Sequence, residues 1–250
     1  MAFYLPRPPH NSRIFKKRLQ PITSDYKTQY RFHEPSVQWI SEVFLGQENG
    51  ENRGGALSNK QKLEITFGYM ANPGFQHTVS NVVGVSQPTV SLTIKEVVEV
   101  INYMQVQTWI HFPSTALEVE QAARLWRASR AFPSAFGVVD GSLIKIQKPW
   151  HRYNPAEYLS GRKKLYCVNA QIICDAEYRI MDVYAAWPGS VHDARVWRNS
   201  PVKFLLNTGI AGDKLLLGDS AYPISPNLMK PYPETEAAAN PQKRHFDTVL

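Results

Sequence analysis

The sequence predicts an α/β domain preceded by a smaller, all-helical domain. Residues 136–139 and 215–217 are short, uniformly apolar runs, as expected of strands that are buried on both faces of a sheet. Between them, residues 166–187 are typical of two strands joined by a turn, and residues 193–207 are typical of a helix. A strand, a hairpin, a crossover helix and a last strand beside the first together predict a mixed sheet.

The composition is that of a globular protein. Hydrophobic residues make up 43% and aromatic residues 12% of the 250 residues. No apolar run is long enough for a transmembrane helix, and the first residues lack the apolar core of a signal peptide. Cys167 and Cys174 do not form a disulfide framework, which favours reduced thiols and an intracellular location. The net charge of +7 suits a polyanionic partner without requiring one.

Two aspartates follow the two buried runs. Asp140 comes after residues 136–139, and Asp219 comes after residues 215–217 and a glycine. A carboxylate at the end of a buried strand is costly unless its charge is compensated, and two neighbouring carboxylates either share a proton or share a cation. Carboxylate oxygens suit Mg²⁺, so the pattern favours a metal-dependent phosphodiester site. The alternative is that both aspartates are turn residues, because Asp-Gly is a common turn dipeptide.

Several motifs resemble, in order and spacing, the DDE superfamily endonuclease domain of PIF/Harbinger-type transposases and the nucleases derived from them. The similarity is strongest over residues 136–233. The matching segments are VVDGSLIKI, Arg162-Lys163, Asn169-Ala-Gln171, WPGSVHDARVW and LLLGDSAYP.

This resemblance implies an RNase H-like fold and an acidic triad that binds Mg²⁺ or Mn²⁺. The first two acids of the family match Asp140 and Asp219, and Asp193 matches a further family position that helps to hold metal. The resemblance also implies DNA as the substrate, a Myb-like DNA-binding protein as a partner, and a nuclear location that could extend to the cytoplasm.

The third carboxylate of the family has no clear counterpart. In the family it is a glutamate on an Arg-rich helix a few dozen residues beyond the position of Asp219. The remaining acids here are Glu234 and Glu236, which follow Pro233 and are predicted to lie in a loop, and Asp247. The sequence therefore predicts a C-terminally incomplete domain. It is either a nuclease without full activity or a catalytically dead adaptor that keeps DNA or protein binding.

Residues 57–104 predict a helix-turn-helix-like arrangement. Ser58 and Ser86 are suited to begin helices, and Gly84 is suited to the turn between a short helix and a long one. The alternative is a helical bundle that only supports the second domain. If the region binds DNA, the groove-facing candidates are Gln87, Thr89, Ser91 and Lys95.

A basic segment joins the first two predicted strands. Cations for phosphates and interleaved aromatic residues for bases are typical of a nucleic-acid groove, although a solvated loop has the same composition. The cations are Lys145, Lys148, Arg152, Arg162, Lys163 and Lys164. The predicted division of the chain is a basic, proline-rich arm (1–34), a helical domain (35–130) and an endonuclease domain (131–250).

Overall fold

The fold is described from a computed structural model. The structure describes residues 25–47, 56–72, 74–129, 132–150 and 154–244. The chain forms two compact units, Met1–Trp109 and Ile110–Leu250. This boundary lies some twenty residues before the one expected at residue 130. Within the described ranges, no helix has both the length and the apolar sequence needed to cross a membrane.

The first unit is helical. Val37, Leu63 and Val97, one from each of three helices, form its buried core. Ser58 begins α3 with a capping box, in which its hydroxyl accepts from Gln61 N and the Gln61 side chain accepts from Ser58 N. The helices are α1 (Tyr26–Tyr30), α2 (Glu34–Leu45), α3 (Asn59–Ala71), α4 (Gln76–Val83), α5 (Gln87–Val100), a π-helical turn (Ile101–Gln105) and α6 (Val106–Trp109).

The predicted short helix, glycine turn and long helix are present as α4, Gly84 and α5. Gly84 has φ +74°, which glycine adopts without strain, and its N–H donates to Ser80 O at 2.9 Å. The Ser86 hydroxyl then accepts from Thr89 N at 3.3 Å and begins α5. Gly84 therefore ends α4 and Ser86 begins α5, as the sequence predicts.

The second unit contains one mixed sheet with the strand order β3-β2-β1-β4-β5. The β1–β2 and β2–β3 pairs are antiparallel, whereas β1–β4 and β4–β5 are parallel. The predicted return of the fourth strand to the side of the first is confirmed, and β5 is an additional strand. The elements are α7 (Ala116–Ser129), β1 (Ala135–Lys145), a 3₁₀ turn (Pro155–Tyr158), β2 (Cys167–Cys174), β3 (Ile180–Pro188), α8 (Asp193–Arg198), α9 (Pro201–Leu206), β4 (Leu215–Gly218), β5 (Leu228–Met229) and α10 (Glu234–Ala239).

The sheet is packed on both faces. One face, called here the helix-covered face, carries α8 and α9. Its core is formed by Phe136, Val139, Ile173 and Leu216 of the strands with Trp197, Val202 and Leu206 of the two helices. On the opposite face, Trp126 of α7 packs with Ala135, Leu215 and Leu217. The runs 136–139 and 215–217 are uniformly apolar because both of their faces are covered.

Two local predictions are wrong. The helix expected over residues 193–207 is broken into α8 and α9, because Ser200 caps a new helix that begins at Pro201. A proline at the first helical position fits without a hydrogen-bond donor, whereas inside one continuous helix it would remove a hydrogen bond. Glu234 and Glu236, expected in a loop, lie instead in the first turn of α10, where acidic residues complement the helix dipole.

Candidate active site

Asp140 lies inside β1. The strand continues through it to Lys145, and Asp140 and Gly141 pair with Ile172 and Gln171 of β2. For Asp140 the alternative of a turn residue is therefore wrong. Its side chain is exposed to solvent.

Asp219 lies beside Asp140. In the parallel β1–β4 pair, Val139 is opposite Gly218, so the next residue of each strand occupies the same level of the sheet. Asp219 is also exposed, and it is the first residue after β4. The two aspartates, far apart in sequence, are thus brought together by the return of β4 to β1.

Each of these carboxylates accepts a hydrogen bond from the backbone that follows it. Asp140 Oδ1 accepts from Gly141 N at 2.7 Å, and Asp219 Oδ1 accepts from Ala221 N at 2.9 Å. Each hydrogen bond orients its carboxylate against the local backbone, and both side chains remain exposed to solvent.

Asp193 approaches β1 from the helix-covered face. It is the first residue of α8, and its Oδ1 accepts from Asn169 Nδ2 at 2.7 Å. A Cβ added to Gly141 would overlap with the Asp193 carboxyl group. The glycine of the Asp-Gly motif is therefore required for a close approach, and its φ is outside the left-handed region.

The three aspartates are neighbours, but they are not one preformed cluster. Side chains alternate along a strand, so Asp140 and Gly141 point to opposite faces of the sheet, and Asp193 lies on the Gly141 side. Among the residues that the structure describes, no three His, Cys, Asp or Glu side chains are arranged to hold a metal ion. The arrangement is one exposed pair, Asp140 and Asp219, with a third carboxylate across β1.

The donor chemistry of the pair fits a hard divalent cation. Two adjacent exposed carboxylates and water molecules form the kind of oxygen-rich set that Mg²⁺ and Mn²⁺ prefer. The close contact of Asp193 with Gly141 adds a further negative charge next to Asp140.

Tyr222 is a functional neighbour that the sequence analysis missed. Its ring packs against Gly218 and makes an edge-on contact with Trp197 at 6.2 Å between ring centroids. Burial, and after it the charges of Asp193, Asp140 and Asp219, raise the pKa of its hydroxyl. Tyr222 therefore keeps its proton beside the acidic residues. Its place three residues after Asp219 was the available signal.

Lys230 is a second residue that was missed. It follows β5, and its Nζ donates to Ser220 O at 3.3 Å, next to Asp219. A cation thus contacts the backbone of the residue that follows Asp219. No sequence pattern singles out Lys230, because β5 is too short to be recognised from a pattern.

The described part of the basic loop contains a short hydrogen-bonded turn. Ser160 N donates to Leu165 O at 2.9 Å and closes a tight turn that carries three exposed cations, Arg162, Lys163 and Lys164. Lys148 Nζ lies 4.3 Å from the centre of the Trp150 ring, as in a cation–π contact. Lys145 is exposed on β1, and Arg152 lies outside the described residues.

Three of the candidates in α5 share one face of the helix. Gln87, Ser91 and Lys95 are spaced four residues apart, and Gln87 and Lys95 are exposed. Gln87 Nε2 also donates to Gln76 Oε1 of α4 at 2.7 Å. Thr89 instead contributes to the cap of α5, where its hydroxyl lies 2.8 Å from Ser86 Oγ.

Comparisons with known proteins agree with the motifs. Residues 139–250 match the family model of the DDE superfamily endonuclease. Over 226 residues the chain is 28% identical to the Mus musculus protein named "Putative nuclease HARBI1", covering 89% of this chain and 63% of that protein. It is 27% identical to the Homo sapiens protein of the same name, with 92% and 66% coverage. Protein ALP1-like of Arabidopsis thaliana is 25% identical, with 80% and 52% coverage.

The chain thus spans between about half and two thirds of the length of these relatives. Among solved structures, it is similar to a pre-cleavage Mos1 transpososome at 11% identity and a TM-score of 0.22, covering 86% of this chain and 72% of that one. A TM-score this low does not define a common fold. The family match and the relatives instead confirm the resemblance found in the motifs: residues 139–250 belong to the DDE superfamily endonucleases, of the Harbinger type.

Proposed function

We propose that this chain is a divalent-metal-dependent nuclease, derived from a Harbinger-type transposase, that acts on phosphodiester bonds of DNA. The observation that carries this proposal is the placement of Asp140 and Asp219 at the same level of the paired strands β1 and β4. Both are exposed and can meet a cation from solvent. Membership in an endonuclease family and relatives that are named as nucleases support it.

Asp140 and Asp219 would hold the metal, Mg²⁺ or Mn²⁺, and Asp193 would add a third charge from the other side of β1. When bound, such a metal polarises the phosphoryl oxygen and lowers the pKa of an attacking water. Lys230 would bind a phosphate oxygen of the substrate next to Asp219, which neutralises part of the charge that two carboxylates present to DNA.

The strand order supports an RNase H-like fold for this unit. Three antiparallel strands, a helical crossover on one face and a fourth strand parallel to the first give the order β3-β2-β1-β4-β5. In this arrangement the first and fourth strands are neighbours, and they bring together Asp140, which lies within β1, and Asp219, which directly follows β4.

Recognition of DNA would involve two surfaces. In the first unit, α4 and α5 form a helix-turn-helix-like pair in which Gln87, Ser91 and Lys95 face the groove. In the second, the turn with Arg162, Lys163 and Lys164 contacts phosphates. Because few cations lie on α5, this surface alone would have a low affinity for DNA. A Myb-like DNA-binding partner in the nucleus is expected to supply the additional affinity.

Titration calorimetry with Mn²⁺ tests the metal site. The Asp140→Ala variant is expected to lose at least about 100-fold in Mn²⁺ affinity, since even residues that only support metal ligands are worth 10–100-fold. The control is Asp213→Ala, which removes an exposed aspartate that lies before β4 and pairs with Lys214. It should bind Mn²⁺ within about twofold of the wild type. Equal binding by the wild type and Asp140→Ala would refute the proposal.

A second candidate function is a DNA-binding adaptor that does not cleave. It is favoured by the lack, among the described residues, of three acidic or histidine side chains arranged around a common point. Plasmid nicking in Mn²⁺, compared with Asp219→Ala, separates the two functions. Nicking above that variant supports the nuclease, whereas Mn²⁺ and DNA binding without such nicking supports the adaptor.

A further inference from the structure

Two buried amide side chains lie on the helix-covered face of β2, next to Asp193. Asn169 is 2% exposed and Gln171 is 1% exposed. Gln171 is paired with Gly141, so it lies beside the position where the Asp193 carboxylate touches β1. A buried amide is costly unless it is hydrogen-bonded, which makes the choice of amides at these positions informative.

The two amides differ in what they contact. Asn169 Nδ2 donates to Asp193 Oδ1 at 2.7 Å and to Val191 O at 2.9 Å. It therefore binds both the carboxylate at the start of α8 and the backbone just before it. The polar atoms of the Gln171 side chain, in contrast, are buried without a hydrogen-bond partner among the described residues.

The Asn169 amide and Gly141 together fix one position of the Asp193 carboxylate. The amide donates to Oδ1 from the β2 side, and the missing side chain of Gly141 leaves the space in which the carboxylate lies against β1. A hydrogen bond to a charged acceptor is stronger than one between neutral groups. Without Asn169, the Asp193 side chain would be free to rotate towards solvent.

We propose that Asn169 is a positioning residue that keeps the negative charge of Asp193 next to Asp140 and thereby raises the affinity of the site for a divalent cation. This inference rests on the proposed metal site. Asp193 lies on the opposite side of β1 from the Asp140 side chain. It therefore acts through the attraction of its charge for the cation and not by binding the cation directly. Because Asp193 contacts Gly141, the residue next to Asp140, its charge lies close to the proposed cation site, where a carboxylate attracts a cation.

Mn²⁺ calorimetry on matched variants tests the proposal. Asp193→Asn keeps an oxygen acceptor for Asn169 but removes the charge, and it is expected to weaken Mn²⁺ binding roughly tenfold. Asn169→Ala keeps the charge of Asp193 but removes the hydrogen bond that positions it. Its affinity for Mn²⁺ is expected to fall about threefold to tenfold. Gln171→Ala is the control, because it removes the neighbouring buried amide and should stay within about twofold of the wild type.

The outcomes separate this inference from the proposed function. If Asp140→Ala abolishes binding while Asn169→Ala binds as the wild type does, the inference fails and the metal site stands. An equal loss in Asn169→Ala and Gln171→Ala also overturns it, since general loosening of β2 would then be the cause. If Asn169→Ala does not fold, as judged by its melting temperature without metal, Asp193→Asn decides. If the wild type binds no Mn²⁺, both proposals fail.

Discussion

Two pairs of aspartates in the sheet unit have different environments. One pair, Asp140 and Asp219, is called here the strand-end pair because each residue follows the apolar part of its strand, although β1 continues beyond Asp140. Both are exposed, and each carboxylate accepts a hydrogen bond from the backbone that follows it. The helix-side pair, Asp182 and Asp193, lies half-buried on the helix-covered face. Asp182 is placed there because it pairs with Ile173, a residue of that core.

The helix-side pair shows what burial demands of a carboxylate. Asp193 has the Asn169 amide as its partner. Asp182 Oδ2 is buried without a hydrogen-bond partner among the described residues, and burial raises the pKa of Asp182 to about 6. Water stabilises the charge of an exposed carboxylate, which therefore stays available to a cation. A buried carboxylate needs hydrogen bonds from the protein to keep its charge.

The largest effect on stability is expected where Asp193 of the helix-side pair contacts β1 at Gly141. Gly141→Ala places a methyl group in the space of the Asp193 carboxyl group, and overpacking of this kind costs about 1–3 kcal/mol. Chemical denaturation should show a loss in the free energy of unfolding of about 2 kcal/mol. The control is Gly161→Ala, because no atom lies within 4 Å of a Cβ added there. Equal stability of the two variants would mean that the carboxylate moves aside freely.

A smaller effect, of opposite sign, is expected at Asp182. Burial raises the pKa of Asp182 from its ordinary value of 3.8 to about 6 in the folded state. The folded state therefore binds the proton more tightly, and stability falls as the pH rises from about 4 to about 6. Asp182→Asn removes this penalty and should stabilise the protein above pH 6 by about 1 kcal/mol, after allowance for the remaining exposure of the group.

Thermal melts across pH check the expectation for Asp182. At neutral pH the variant should melt about 2–4 °C above the wild type, and the difference should vanish near pH 4. A constant difference at all pH values would instead show that the carboxylate does not titrate in this range.

The smallest effect is expected at the strand-end pair. Lys230→Gln removes the cation beside Asp219, and it should lower the affinity for DNA about threefold and reduce the salt dependence of binding by about one unit of slope. Lys203→Gln is the control, since Lys203 Nζ donates to Asn207 Oδ1, in the residue that follows α9, at 2.8 Å. Fluorescence anisotropy at several salt concentrations measures both. Equal behaviour of the two variants would remove Lys230 from the DNA surface.

The strand-end pair could be singled out from the apolar runs that precede it, and Asp193 could be singled out from the family resemblance, whereas Asp182 could not. Buried parallel strands read as uniformly apolar runs, so the aspartates that follow them could be located and paired. The hydrogen bond from Asn169 to Asp193 depends on the register of β2 and the angle of α8, which no local pattern encodes. Ser200 and Pro201 are typical of the start of a new helix, as found at α9. The apolar spacing of residues 193–207 nevertheless favoured one continuous helix.

The sheet has two outer strands, and they are protected against other chains in different ways. In the part of the chain that the structure describes, β5 is only two residues long, while β3 is nine residues long. The register of β3 is interrupted twice, and it carries the inward-facing Asp182. Irregularities and inward charges are devices that prevent edge-to-edge association of sheets. Because protonation below about pH 6 removes this charge, acidification should promote self-association through β3, and light scattering across this pH range would detect it. Asp182→Asn, although more stable, should then associate at neutral pH as well, so the charge that weakens the fold keeps the molecules apart.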